Sequence, residues 1–328
     1  MRLPLSVLDL SPVGAGVAPS TAVRDSVELA VLADRLGYTR YWFAEHHNMP
    51  SIATSAPEVL IAHAAAKTTR LRLGAGGIMV PNHAPLHVVE VFRTLEALAP
   101  GRVDLGLGRA PGTDRVTAAA LRRADVEVND LLAELLAFED DRFPDRHPFK
   151  KVVPMPSDVH AGVIWMLGST LAGASIAAQL GVPYAFAGHF AMRAAREAIA
   201  HYRRSFEPSA RLARPYAMCA VTTICAETDE EAQRLAAPMR VAVVNSRTGK
   251  TAPIVSIENA LARKFTPEEQ AICDDFLEGA ILGGPSLVAE RLPALAGELE
   301  ADELMLSTLV PGLDARRASL ERIAAALA

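Results

Sequence analysis

Cysteine is scarce in this chain, and its few cysteines do not form a recognisable framework. Cys219, Cys225 and Cys273 are too few and too irregularly spaced for a disulfide scaffold or a zinc cluster. Two of them, Cys219 and Cys225, lie inside an apolar run, which favours a role in core packing. This pattern excludes the small disulfide-rich class, and we expect a cytoplasmic protein.

Long hydrophobic runs are also missing, although 50% of the residues are hydrophobic. No apolar run approaches the roughly 18 residues that a membrane-spanning helix requires. The N-terminal segment has Asp9 within a short apolar stretch and no small-residue cleavage site, so it predicts a buried strand rather than a secretory signal. The apolar content is instead sufficient for one large core.

The chain also has no excess of basic residues. The formal net charge is -5 at pH 7, from 33 Lys and Arg against 38 Asp and Glu. The basic residues are scattered, whereas nucleic-acid-binding proteins gather them into a stripe or patch. We therefore expect neither nucleic acid nor a membrane as a partner, and we expect a small molecule instead.

Short apolar strands alternate with helices along almost the whole chain. Strands are predicted at residues 5–11, 41–45, 71–80, 103–109, 163–169, 184–188, 218–226 and 303–309. Nearly continuous apolar strands separated by helices are typical of a parallel sheet covered by helices. Eight such units predict a single α/β domain over residues 1–328, a (β/α)8 TIM barrel with a closed parallel sheet and outer helices.

The alternation continues with a long helical stretch predicted over residues 116–138. One later segment fits it less well. The stretch 245–285 has no clear periodicity, and loops that follow barrel strands commonly close over an active site. We therefore predict a lid or an insertion within the barrel at 245–285, with a plain surface excursion as the alternative.

One internal echo supports a repeated unit. The segment LGYTRYWFAEHH (36–47) parallels LGVPYAFAGHF (180–190), apart from a gap of one residue. In both segments a helix is predicted to end at Leu-Gly, and a strand is predicted to end at Phe-Ala-x-His.

The active site of a parallel barrel lies at the carboxyl ends of its strands, where glycine, hydroxyl and basic residues collect in this sequence. Gly168, Ser169 and Thr170 lie between a predicted strand and a helix, and Arg109 ends another strand. Backbone N–H groups, two hydroxyls and a guanidinium make an anion cradle suited to phosphate. The alternative is that Ser169 or Thr170 only caps the helix.

Glycines are concentrated in two neighbouring strands, at residues 74–77 and 106–108. Glycine weakens the interior of a strand unless a ligand or another backbone must approach closely. A flat ring lying against the backbone explains these glycines, and so does a β-bulge. Because they are not arranged as GxGxxG between strand and helix, a dinucleotide fingerprint is excluded.

Consecutive histidines follow the second predicted strand. If the chain stays extended, His46 and His47 point to opposite faces and cannot bind one metal ion together. We therefore expect no metal site, and one of the two histidines is a candidate acid–base group. His83 lies in the turn PNHAP, where a place on the rim of the site and a purely structural place remain open.

Several segments taken together resemble the luciferase-like flavin-dependent monooxygenase superfamily, specifically the bacterial-luciferase-like, alkanal-monooxygenase-like branch. They are FAEHHNMP (43–50), SAPEVLIAHAA (55–65), LRLGAGGIMVPNHAPL (71–86), VDLGLGRAPGTD (103–114), HPFKKVVPMPSDV (147–159), IWMLGST (164–170) and PYAFAGHF (183–190). The resemblance covers most of the chain and is weakest between about 240 and 285.

The resemblance implies a TIM barrel that binds reduced FMN as a co-substrate, reacts it with O2 and uses the flavin peroxide on a small organic substrate. It implies a homodimer and a separate flavin reductase, and the absence of a nicotinamide fingerprint agrees with a borrowed reductant. A pocket lined by the large apolar side chains near the strand ends would favour an apolar substrate, although these side chains could equally belong to the core. They are Trp42, Phe43, Met79, Trp165 and Phe190.

The resemblance also assigns site residues. By residue-to-residue match it implies that His46 is catalytic and that Gly76, Gly77, Gly108, Arg109, Gly168, Ser169 and Thr170 bind the cofactor. Relatives often have a non-proline cis peptide bond at the glycine pair. Two positions depart from the pattern, because Gly173 stands where relatives often have a hydroxyl and Gly188 where they often have a polar residue.

Three other functions remain open at this point. A deazaflavin F420-dependent oxidoreductase of the same superfamily would transfer hydride without O2. A protein that only stores or senses FMN would catalyse nothing. A metal-dependent barrel hydrolase would require a bound metal ion.

Overall fold

The computed structural model describes residues 3–121 and 127–328 and confirms the closed TIM barrel. Nine strands are present: β1 (Leu5–Asp9), β2 (Arg40–Phe43), β3 (Arg72–Met79), β4 (Val103–Gly108), β5 (Val163–Gly168), β6 (Tyr184–Phe186), β7 (Ala217–Cys225), β8 (Ile281–Gly283) and β9 (Glu303–Ser307). Strands β1 to β7 and β9 close into a ring, because β6 pairs with β7 and β9 pairs with both β7 and β1. Every pairing in this ring is parallel.

Strand β8 corrects the expectation of eight strands. It lies in the stretch 245–285, and it pairs only with the far end of β7, where Thr223 lies opposite Ile281. Three residues give too short a run for an alternation of apolar and polar positions to be visible, and the strand is recognisable only from its pairing.

Thirteen helices surround or connect the strands in the described residues. They are α1 (Pro19–Leu36), α2 (Pro57–Ala65), α3 (Pro85–Leu98), α4 (Arg115–Ala120), α5 (Val128–Asp140), α6 (Leu171–Leu180), α7 (Gly188–Ala191), α8 (Ala195–Ser205), α9 (Asp229–Arg247), α10 (Ile257–Ala262), α11 (Pro267–Phe276), α12 (Pro285–Leu299) and α13 (Leu313–Ala326). None of the helices within the described part of the chain is long and apolar enough to span a membrane.

The structure refines two of the predicted segments. The predicted helix over 116–138 is two helices, α4 and α5, and residues 122–126 of that prediction lie outside the described residues. The stretch 245–285 contains α10, α11 and β8, and its Ile254 forms a bridge with Gly14 beyond β1. Ser256 and Thr266 cap α10 and α11 with their hydroxyls.

The barrel has two apolar layers, one inside the ring of strands and one between the strands and the helices. Successive side chains of β2 point alternately into one layer and the other. Tyr41 and Phe43 point outward into the large core between the strands and the helices. Trp42 points inward, where its ring meets that of Trp165 edge to face at 5.2 Å.

The amino end of the barrel interior is filled by a buried ionic network around Arg40, the first residue of β2. Its guanidinium donates to Asp104 of β4 at 2.7 Å and to both carboxylate oxygens of Glu303 in β9 at 2.7 and 3.0 Å. Arg72 adds a second cation to Asp104 at 2.6 Å, and the side chains of Asp104 and Glu303 are fully buried. The network links β2, β3, β4 and β9 across the barrel.

Removing the central cation should destabilise the fold strongly. We expect Arg40→Met to lower the free energy of unfolding by about 3–5 kcal/mol, because it leaves Asp104 and Glu303 buried without their shared partner. Urea unfolding followed by circular dichroism measures the change. Arg35→Met, at an exposed position of α1, is the matched control and should change stability by less than about 0.5 kcal/mol. Equal effects of the two substitutions would contradict a structural role for the network.

Candidate active site

The carboxyl ends of the barrel strands surround a cavity of about 720 Å³. Small-molecule and cofactor sites have volumes of roughly 300–1,000 Å³. The cavity is lined by residues from β1 to β7 and β9 and the loops that follow them, together with α9 and two residues of the stretch 245–285 beyond α9, Ile254 and Phe276. It therefore lies where the barrel architecture places a catalytic site.

The predicted anion cradle is brought together on one side of this cavity. Arg109 follows β4, Ser169 and Thr170 follow β5, and all three line the cavity with Gly168. Thr170 is the N-cap residue of α6, but its side chain makes no capping hydrogen bond. The cap alternative is therefore wrong for Thr170. The ten-residue helix α6 begins beside the cavity, and the side chain of Thr170 does not cap its first N–H groups.

Arg109 is short of partners. The Nε atom of its guanidinium is buried without a hydrogen-bond partner among the described residues. Burying an unpaired polar group costs free energy, and an anion is the partner that restores it. This orphaned donor beside two hydroxyls and a helix start fits a phosphate group.

The glycines of β3 and β4 serve packing as well as access. Gly77 is the extra residue of a bulge, because Gly76 pairs with Gly106 and Ile78 with Leu107. A Cβ atom on Gly77 would lie 2.7 Å from the carbonyl oxygen of Gly106, and one on Gly76 would lie 2.8 Å from Leu8. The peptide bond between Gly76 and Gly77 is cis. Gly76 lines the cavity, whereas Gly77 does not.

Packing also accounts for three glycines near the cradle, two of which depart from the family pattern. A Cβ atom on Gly108 would lie 2.9 Å from Met79, and Gly108 lines the cavity. A Cβ atom on Gly173 would lie 3.1 Å from the Cα of Gly168, so α6 packs against β5 too closely for a side chain. One on Gly188 would lie 2.6 Å from a backbone oxygen and 2.7 Å from the sulfur of Cys219.

Two histidines line the cavity, His46 after β2 and His189 in α7 after β6. The Nδ1 atom of each is buried without a partner in the described residues. Burial lowers the pKa of both imidazoles to about 4. The carboxylate of Glu45 partly offsets this effect on the pKa of His46, and the proximity of His46 adds to it for the pKa of His189. Both histidines are therefore neutral at pH 7, with a ring nitrogen free to accept or donate a hydrogen bond.

The neighbouring carboxylate of Glu45 fixes the loop that carries His46. It accepts hydrogen bonds from the backbone N–H of Met79 at 2.8 Å, and it contacts the imidazoles of His47 and His83 at 2.9 Å. Burial alone would raise the pKa of Glu45, but the hydrogen bond and the charge of His83 hold that pKa below its ordinary value. Burial alone would lower the pKa of His83, and the contact with Glu45 outweighs burial and raises it. His47 therefore turns away from His46, and His83 stabilises the rim.

The apolar lining matches the sequence expectation in part. Trp42, Met79 and Phe190 line the cavity, whereas Phe43 and Trp165 pack in the two apolar layers. Helix α9 supplies Met239, Ala242 and Val243, which were not predicted to line the site, and Ser246 and Arg247, which lie in the stretch predicted as a lid. Their spacing of three and four residues is the signal that was available, but only the tertiary structure shows what the stripe faces.

In the described ranges 3–121 and 127–328, no group of three or more His, Cys, Asp or Glu residues is arranged to bind a metal ion. The acidic residue nearest to His46 in sequence, Glu45, is occupied by the contacts described above.

Comparison with known proteins identifies the family. The model of the luciferase-like monooxygenase family matches residues 3–302. A luciferase-like monooxygenase of Escherichia coli (strain K12) is 42% identical over 320 residues, covering 96% of this chain and 94% of that protein. An N-acetyl-S-alkylcysteine monooxygenase of Bacillus subtilis (strain 168) is 34% identical over 311 residues, covering 93% of this chain and 92% of that protein.

Solved structures agree with these relatives. The crystal structure of apo-MsnO8 superposes with a TM-score of 0.91 at 36% identity, covering 99% of this chain and 98% of the other. The oxygenating constituent of 3,6-diketocamphane monooxygenase from Pseudomonas putida, in complex with FMN, shares the fold with a TM-score of 0.71 at 18% identity, covering 100% and 98%. On the match of the family model and these relatives, the chain belongs to the luciferase-like monooxygenase family.

Proposed function

We propose that this protein is an FMNH2-dependent monooxygenase that uses O2 on a small, largely apolar organic molecule. The observation that carries the proposal is the buried Nε of Arg109, which has no hydrogen-bond partner in the described part of the chain and lies beside Ser169, Thr170 and the start of α6. Membership of the family supports the monooxygenase class. The reduced flavin comes from a separate reductase, and the homodimer expected from the resemblance is part of the same proposal.

Residues on one side of the cavity would hold the cofactor. Arg109, Ser169 and Thr170 would bind the phosphate, and the bare backbone at Gly76 and Gly108 leaves room for a flat ring. Reduced FMN supplies, when bound, the two electrons that activate O2 for transfer of one oxygen atom to the substrate.

In this proposal, His46 transfers protons during the reaction. A neutral imidazole inside the cavity can accept a proton from the substrate or return one as the reaction proceeds. The contacts of Glu45 hold the loop on which His46 lies, and His189 faces the same space from β6 on the far side of the ring. The apolar walls exclude water from this space, which limits wasteful loss of oxidising equivalents.

Anaerobic titration with reduced FMN, oxidised FMN and the deazaflavin F420, followed by fluorescence, tests the cofactor. We expect tight binding of FMN with a preference for the reduced form, because O2 chemistry begins from reduced flavin. Binding of F420 alone would favour hydride transfer instead. The coenzyme F420-dependent tetrahydromethanopterin reductase from Methanopyrus kandleri has the same fold, with a TM-score of 0.66 at 14% identity. Binding of neither would contradict both functions.

Arg109→Gln tests the phosphate assignment. We expect it to weaken FMN binding by about 10- to 100-fold, the equivalent of the 1.5–3 kcal/mol of a charge-assisted hydrogen bond, and to leave riboflavin binding unchanged because riboflavin has no phosphate. Arg115→Gln, at an exposed position in α4, is the control and should affect neither ligand. Equal losses for FMN and riboflavin would show that Arg109 does not contact the phosphate.

The protonation state of His46 can be measured directly. We expect its imidazole to titrate near pH 4 in histidine NMR spectra, with the signal assigned by its loss in His46→Asn. In the unfolded chain a histidine titrates near pH 6.5, so between pH 6.5 and 4 the unfolded state binds a proton that the native state does not. His46 therefore lowers stability as the pH falls through this window, and His46→Asn should lose less unfolding free energy between pH 7 and pH 5. A native pKa of 6 or higher would refute the neutral acid–base role.

The stretch 245–285 would act as a lid in this proposal. Ile254 and Phe276 reach the cavity, and Arg193 next to α7 forms an ion pair with Asp275 at 3.2 Å and contacts Glu278. We expect FMN to slow limited proteolysis within 245–285 several-fold, with cleavage sites read by mass spectrometry. Cleavage that proceeds at the same rate with and without FMN would favour a plain surface excursion.

A further inference from the structure

The charged side chains that line the cavity are both positive. Among the residues that the structure describes, the lining includes two arginines, Arg109 and Arg247, and no aspartate or glutamate, although the whole chain carries a net charge of -5. Two unneutralised cations in one largely apolar cavity attract anionic ligands and favour groups that neutralise them. One phosphate at Arg109 accounts for only one of these cations.

The lining is divided into two halves of different chemistry. The polar half, made of Arg109, Ser169 and Thr170 with two glycines, comes from β4 and β5. The apolar half comes from β1, β7, β9 and α9. It contains the buried side chains of Leu8, Leu10, Met218, Met239, Val243 and Met305. The cofactor would occupy the polar half, which leaves the apolar half for the substrate.

Arg247 belongs to the apolar half. It is the last residue of α9, and it continues the stripe of Met239, Val243 and Ser246 that faces the cavity at helical spacing. Its side chain forms no ion pair or hydrogen bond with any residue that the structure describes. A cation at a helix carboxyl end is also favoured by the helix dipole, which is the purely structural explanation for Arg247.

From the position of Arg247 in the apolar half we infer that the substrate has an apolar body and an anionic end group, such as a carboxylate, and that Arg247 binds the anionic end. The body would lie against the methionine and leucine side chains of β1, β7, β9 and α9. The anionic end would remain near the solvent, where Arg247 is exposed. This inference rests on the proposed function, because it assigns the polar half to FMN.

A binding experiment without flavin tests the inference. Decanoate, decanol and decylammonium share a chain length and differ in end group, and Trp42 in the cavity wall reports their binding through intrinsic fluorescence. We expect decanoate to bind about 10-fold more tightly than decanol, with decylammonium weakest. The advantage of decanoate should shrink at high salt, because Arg247 is exposed and its charge is screened.

Substitutions locate the anion. Arg247→Gln should abolish the difference between decanoate and decanol and leave decanol binding unchanged. Lys250→Gln, three residues further along and outside the cavity lining, is the matched control and should preserve the difference. Equal binding of decanoate and decanol to the unmodified protein would overturn the inference and leave only the helix-dipole explanation.

Two further outcomes would also overturn it. Loss of the decanoate preference in Arg109→Gln but not in Arg247→Gln would place the carboxylate at the phosphate cradle. A drop in the affinity of Arg247→Gln for reduced FMN, greater than for oxidised FMN, would assign Arg247 to the anionic reduced flavin.

The substrate inference and the proposed function fail separately. Binding of FMN without a preference for decanoate would remove the anionic substrate and leave the monooxygenase proposal intact. A preference for decanoate that depends on Arg247, without binding of FMN, would retain the anion site and contradict the flavin function.

Discussion

The buried guanidinium of Arg40 is the interaction on which the barrel depends. It lies between Asp104 and Glu303 at the amino end, and it is stacked over the ring of Trp165 at 4.7 Å. Because a buried charge is tolerated only when it is paired, the network fixes strands β2, β4 and β9 relative to one another. It fills one end of the interior with salt bridges and aromatic rings, so that the open end alone is available for a cavity.

The repeated sequence motif places a histidine at the cavity from two strands of the barrel. Strands β2 and β6 lie four places apart in a ring of eight, and the histidine that follows each of them, His46 or His189, lines the cavity. The helix before each strand ends at a glycine with positive φ, Gly37 or Gly181. The two copies of the motif differ at the position before the histidine, which is Glu45 in the first copy and Gly188 in the second. Only the first copy therefore supplies a carboxylate that stabilises the rim of the cavity.

The division of the cavity follows from which strands contribute to it. Strands β4 and β5 end in glycine, arginine and hydroxyl residues, whereas β1, β7 and β9 contribute leucine and methionine side chains. Methionine is flexible and polarizable, and it adapts to apolar ligands of different shape. Helix α9 closes this half and adds Arg247, so the part of the chain where the family resemblance is weakest supplies residues that would select the substrate.

The sequence by itself determined the alternation of strands and helices, the eight barrel strands and the strand-end positions of His46, Arg109, Ser169 and Thr170, because these depend on local periodicity and chain order. It did not reveal β8, since three residues carry no periodicity, and it left open whether the glycines of β3 form a bulge, which the structure shows at Gly77. Only the tertiary structure decided that Arg40 bridges two carboxylates distant in sequence and that the stripe of α9 faces the cavity. Contacts between distant segments depend on how the barrel closes, and no local pattern records them.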